Sequence, residues 1–359
     1  MPTARAASSL PRNLAFAYGL LIVYACLHPL TGWRSTGLPL LDFLTAPWPK
    51  YVRSADIVIN VLGFMPFGFV LAPALPQRIG RAAGIALATL IAALLSFSME
   101  LTQNFLPTRV PSNIDLACNT TGAFLGALAG ARWGHPMFDE RGWLQRWRAA
   151  RIIPGHLGDF GLILLGLWLL AQLTPDHVLF GSGDLRQLLG LPTPLRFEPE
   201  RYILLETVQV AITVLSVGLF ARSMMRGRSP WPVALLLLLG IGTKSIATAS
   251  FYIPGDALLW LTPGTRQGLL LGVLVLAVAL LLARVLQHAF AGVALLAATS
   301  LTNLLPQNPY AEIGHRMVTQ GNFLNFHGLT ELSANLWPFL ALAYLSAVGL
   351  WRGEHLTKR

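Results

Sequence analysis

An all-α, polytopic transmembrane bundle is what this sequence predicts, on three observations. Only 12% of its 359 residues are charged, against roughly a quarter in an average soluble domain. Mean hydropathy is +0.58, and several apolar runs approach or exceed the roughly 20 residues that cross a bilayer. Arginines collect in alternate loops between those runs. The net charge of +10 therefore reads as a positive-inside signal. It does not read as a nucleic-acid footprint, since no basic stretch stands apart from a membrane segment.

About ten spans are expected, near 13–30, 56–75, 82–104, 113–131, 158–174, 203–221, 232–252, 267–286, 289–304 and 335–351. Arg5 and Arg12 precede the first, and no small-x-small site follows it, so it reads as an uncleaved anchor. Arg78 and Arg81 follow the second span, and Arg132, Arg141, Arg146, Arg148 and Arg151 the fourth. Arg222, Arg226 and Arg228 follow the sixth, Arg284 the eighth, and Arg352, Lys358 and Arg359 the tenth. This alternation places both termini in the cytoplasm. The loop at 175–202 instead balances Arg186, Arg196 and Arg201 with Asp176, Asp184, Glu198 and Glu200.

The spans group into a four-helix block at 1–135, a basic cytoplasmic linker at 136–157, and a block of about six helices at 158–359. In the linker, Trp143, Leu144 and Trp147 recur at helical spacing among arginines. That pattern suits a helix lying on the inner leaflet, or an ordinary interfacial Trp-Arg belt. The two cysteines, Cys26 and Cys118, sit inside apolar segments and make neither a disulfide framework nor a metal knuckle. His327 and Glu331 stand four apart with His315 upstream, but such residues are more often solvated loop groups than metal ligands. G-x-S-x-G, H-E-x-x-H and P-loop motifs are absent from the sequence.

The polar residues of the first block fall at one depth. Asp56 with Asn60, Glu100 with Gln103 and Asn104, and Asp115 with Asn119 each occupy one side of a helix near its outer end. Between the third and fourth spans the chain breaks at Pro107–Pro111, which carries Arg109. Gly122, Gly126 and Gly130 form a stripe that lets a neighbouring backbone come close. Gly63, Pro66 and Gly68 interrupt the second span. Asp56-x-x-x-Asn60-x-x-Gly63 and Asp115-x-x-x-Asn119-x-x-Gly122 repeat one pattern, with a fainter echo at Glu331-x-x-x-Asn335.

Ionisable groups at this depth need a partner or a purpose. Arg109 would neutralise the acids in a purely structural role, as in a scaffold for envelope enzymes. The acids and amides would hold a cation or relay protons in a carrier. In a membrane enzyme or receptor for a lipid-linked substrate, Arg109 would grip a phosphate or carboxylate while a carboxylate served as base.

Asp56-x-x-x-Asn60 with Gly63-Phe64-Met65-Pro66-Phe67-Gly68, then Glu100-x-x-Gln103, Arg109, Asp115-x-x-x-Asn119 and Gly122-x-x-x-Gly126 resemble the VanZ-like family of bacterial membrane proteins. The resemblance covers roughly residues 14–135, with a local variation at Val110-Pro111-Ser112-Asn113-Ile114. It implies a multi-pass protein of the bacterial cytoplasmic membrane, and its namesake is associated with low-level teicoplanin resistance. The outward-facing polar pocket expected from the spacing and topology, Asp56, Asn60, Glu100, Gln103, Arg109, Asp115 and Asn119, is compatible with membrane lipids or a lipid-linked envelope precursor as partners. The resemblance specifies neither a cofactor nor a reaction, so enzyme, carrier and scaffold stay open.

Overall fold

A computed structural model of the chain describes residues 10–35, 37, 39–48, 54–139, 142–174, 178–192, 194–251, 257–306 and 322–357. Arg5, Arg141, Asp176, His315, Lys358 and Arg359 lie outside the described residues, as does the side chain of His327. Among the described residues the architecture is helical and carries no strand beyond an isolated bridge between Ile152 and Met225.

Among the described residues, helices overlap the ten apolar runs: α1 (Leu10–Leu27), α2 (Ser54–Ala74), α3 (Arg81–Gln103), α4 (Asn113–Ala129), α5 (Gly155–Ala171), α6 (Pro199–Ser223), α7 (Trp231–Phe251), α8 (Pro263–Ala279), α9 (Arg284–Leu304) and α10 (Asn322–Thr357). Among the described residues, seven helices are long and apolar enough to cross a membrane, within α1, α2, α3, α6, α7, α9 and α10. The other three have 17 residues each. At 1.5 Å per residue that is about 25 Å, short of a hydrocarbon core of about 30 Å. Local breakers set these lengths. α5 starts after Pro154 and α8 starts at Pro263, while α4 runs on through a π-helical turn at Gly130–Gly134.

The chain divides into two compact units, Met1–Ala150 and Arg151–Arg359. The short helix Trp143–Arg151 lies within the stretch expected to be a linker, with Trp143 exposed and Arg148 buried.

In the first unit α2 and α4 run parallel and pack along their length, with α3 against α4 and α1 against α2. The glycine stripe sets this packing. A methyl on Gly122 would lie 2.2 Å from the Val61 carbonyl oxygen, on Gly126 1.9 Å from that of Met65, and on Gly130 2.3 Å from that of Phe69. Gly68 answers from α2, where a methyl would sit 2.0 Å from the Ala123 oxygen. Each step advances four residues on both helices, so one backbone rides in the groove of the other. Phe64, Phe67, Leu71, Ala88, Ala92, Ala123 and Ala127 fill the space beside this seam. Tyr18 of α1 stacks on Phe67 and donates its hydroxyl to the Gly63 carbonyl at 2.9 Å; the expected interruption at Gly63, Pro66 and Gly68 is not seen, and α2 carries Pro66 within one continuous helix.

The second unit repeats the device. α8 lies parallel to α6, and methyls on Gly264, Gly268 and Gly272 would come within 3 Å of the Ile203, Thr207 and Ala211 backbone. Thr262 caps α8 by accepting from the Thr265 N–H at 3.1 Å, and the Thr265 hydroxyl donates to Glu206 of α6 at 3.1 Å. α9 covers another face of α6, and α5 packs on α10. The core between them holds Trp168, Phe180, Phe220, Trp337 and Tyr344, with the Trp337 indole N–H on the Leu164 carbonyl at 2.8 Å.

Candidate functional site

The site is built on the turn between α3 and α4. Pro107 and Pro111 stop the α3 helix from continuing, and Leu106 anchors the loop with no exposed surface. Ser112, extended at φ −139°, opens α4 as its cap and accepts from the Asp115 N–H at 3.4 Å. The Ser112 N–H in turn donates to the Glu100 carboxylate at 2.8 Å. Glu100 thus supports the start of α4 by accepting from the backbone of its cap residue.

Asp115, in the first turn of α4, accepts a 2.7 Å hydrogen bond from the Asn60 side chain of α2. One turn deeper, Asn119 donates to Ser96 of α3 at 3.0 Å, while its carbonyl oxygen is buried without a protein partner. Ser96 stands one turn before Glu100 on α3. The two polar steps of α4 therefore face different neighbours, α2 first and then α3. The repeat of Asp56-x-x-x-Asn60 in Asp115-x-x-x-Asn119 is used asymmetrically, because Ser96 takes the Asn119 amide.

Gln103 and Arg109 turn toward the end of α1. Gln103 donates to the Cys26 carbonyl at 2.9 Å. Arg109 donates through Nε to the His28 carbonyl at 3.0 Å, and a second N–H of the same guanidinium reaches that oxygen. Among the described residues Arg109 makes no ion pair with Glu100 or Asp115, which departs from its expected role as their neutralising charge. A half-buried guanidinium held by a carbonyl keeps its charge, and burial lowers its pKa from the ordinary arginine value.

The charges nonetheless share one neighbourhood. Glu100 and Asp115 interact electrostatically, as do Asp115 and Asp56. The Cys26 thiol lies within the fields of Glu100, Arg109 and Asp115 together. The first loop folds over the same end. The Arg34 N–H donates to the Phe105 carbonyl at 2.9 Å, Asn104 reaches Leu40 at 3.3 Å, and Asn113 reaches Ala46 at 2.7 Å.

Of the seven residues expected to converge, Asn60 and Asp115 touch, and Glu100 joins them through Ser112. Asn119 lies one turn below, and Asp56 acts electrostatically on Asp115. Gln103 and Arg109 hold the α1 end. Ser112 and Ser96, outside those seven, belong to the site as well. The S-x-x-D spacing of Ser112 and Asp115 is a capping signature that marks the former. Ser96 carries only its one-turn spacing from Glu100.

Residues 16–133 match the model of the VanZ/LLP1 family. Neither a curated protein nor a solved structure matches the chain.

Proposed function

We propose, from the VanZ-like domain in the first third of this multi-pass membrane protein, that it binds the headgroup of a cell-envelope lipid or lipid-linked precursor at the outer face of the bacterial cytoplasmic membrane. The observation that carries the proposal is a separation of charge at one end of the domain. Glu100, Asp115 and Asp56 share an acidic neighbourhood, while Arg109 beside them is held by the His28 carbonyl instead of being neutralised by them. Both signs are then available to a ligand. An arginine fork suits a phosphate, and the acids suit an amine or a hydrogen-bonding sugar or peptide portion. Sequestering or altering such a headgroup would change susceptibility to glycopeptides such as teicoplanin, which act outside this membrane.

A second reading, a proton- or cation-coupled carrier, draws on the electrostatic coupling between the carboxyl groups of Glu100 and Asp115. Two acids in one field hold a proton or cation more readily than one. Lipid extraction separates the two. Purified wild-type protein carrying an enriched headgroup class that is missing from Arg109→Met supports headgroup binding. Bulk-like lipid in both, with a pH gradient collapsing in proteoliposomes of wild type and persisting with Glu100→Gln, supports the carrier and removes the first reading.

A further inference from the structure

We propose that the second unit binds a phosphate-type anion, a phospholipid headgroup or a soluble phosphate, between Arg222, Arg284 and Arg352. Three helices bring these arginines to one short loop. Arg222, at the end of α6, donates to the Gly227 carbonyl. Arg284, at the start of α9, donates to the carbonyls of Met225 at 3.0 Å, Arg226, and Gly227 at 3.1 Å. Arg352, near the end of α10, donates to the Ser223 carbonyl. Arg222 lies within the fields of Arg228, Arg284 and Arg352.

Like charges held this closely need a counter-charge. Among the described residues, none of Arg222, Arg284 and Arg352 is bonded to a carboxylate. Arginines at a membrane face ordinarily reach outward to water. Arg222 does not, being only 5% exposed. Burying a cation among cations is costly, and an anion shared between them removes both the repulsion and the missing partner. The carbonyls already fix the guanidinium planes, and each arginine has five N–H donors. The bonds named above use one donor of Arg222 and one of Arg352. The remaining donors suit the tetrahedral oxygens of a phosphate.

The test uses the full chain in dodecylmaltoside, with binding read by native mass spectrometry and by the shift in melting temperature. The probes are phosphatidylglycerol, phosphatidylcholine and inorganic phosphate. Wild type should prefer phosphatidylglycerol to phosphatidylcholine, or respond to inorganic phosphate. Arg284→Gln and Arg352→Gln should each bind the same probe roughly tenfold more weakly. Arg266→Gln, at an exposed position on α8, should match wild type. A response to phosphatidylglycerol alone identifies a lipid headgroup, and a response to inorganic phosphate identifies a soluble ligand. Equal binding by wild type, Arg284→Gln and Arg352→Gln overturns the site. So does a wild type indifferent to all three probes, which needs no variant to fold.

Discussion

Asn60 donates its amide N–H to the Asp115 carboxylate at 2.7 Å, joining the second turn of α2 to the first turn of the parallel helix α4. That bond couples the glycine seam below it to the charged end above it. Asn60→Leu leaves the Asp115 carboxylate without this donor and should lower stability by about 1–3 kcal/mol. A double-mutant cycle with Asp115→Asn, melted in one detergent, should return a coupling of about 0.5–3 kcal/mol. Strict additivity would mean that the two side chains do not meet in the membrane.

Arg109 gives the contrasting cycle. Its hydrogen bonds run to the His28 carbonyl, so Arg109→Met and Asp115→Asn should combine nearly additively, within about 0.5 kcal/mol. A large coupling would show that the guanidinium leaves His28 to pair with the acid.

The glycine seam allows a test with an internal control. At Gly126 an added methyl would meet the Met65 oxygen at 1.9 Å, and two backbones would have to separate. Gly126→Ala should cost about 1–3 kcal/mol, as overpacking does. Gly63→Ala meets nothing within 4 Å and should change the melting temperature little. Equal effects at the two positions would contradict the observed seam.

Topology is tested by carboxy-terminal reporter fusions. Fusions after Arg81, Arg151, Arg228 and Arg352 should report the cytoplasm. A fusion at Pro192, exposed in the loop before α6, should report the outside. Asp184 is a poorer junction because it is buried and ion-paired with Arg186 at 3.5 Å. Opposite signals at Arg81 and Arg151 together would invert the domain and place its polar end inside.

The helices were legible because apolar runs of about span length and their proline or glycine stops are local properties of the sequence. The seam was legible too. Gly122, Gly126 and Gly130 recur every fourth residue, and the structure sets a second backbone against that face. What Arg109 bonds to was not legible, since a backbone carbonyl such as that of His28 carries no residue-type signal. The asymmetric use of the Asp-x-x-x-Asn repeat also depends on Ser96, a single hydroxyl from a third helix. The shortness of α8 was concealed, because Leu280, Leu281 and Leu282 continue the apolar run past Ala279, where the helix ends.

The central claim is that the charged end of the VanZ-like domain receives a headgroup. A density map of the full chain, purified from its native membrane into lipid nanodiscs, tests this most directly. Headgroup density is expected within hydrogen-bonding distance of the Arg109 guanidinium and of Glu100 or Asp115, fading in Arg109→Met while the helices stay in place. An end closed by protein side chains alone, identical in wild type and Arg109→Met, would contradict it.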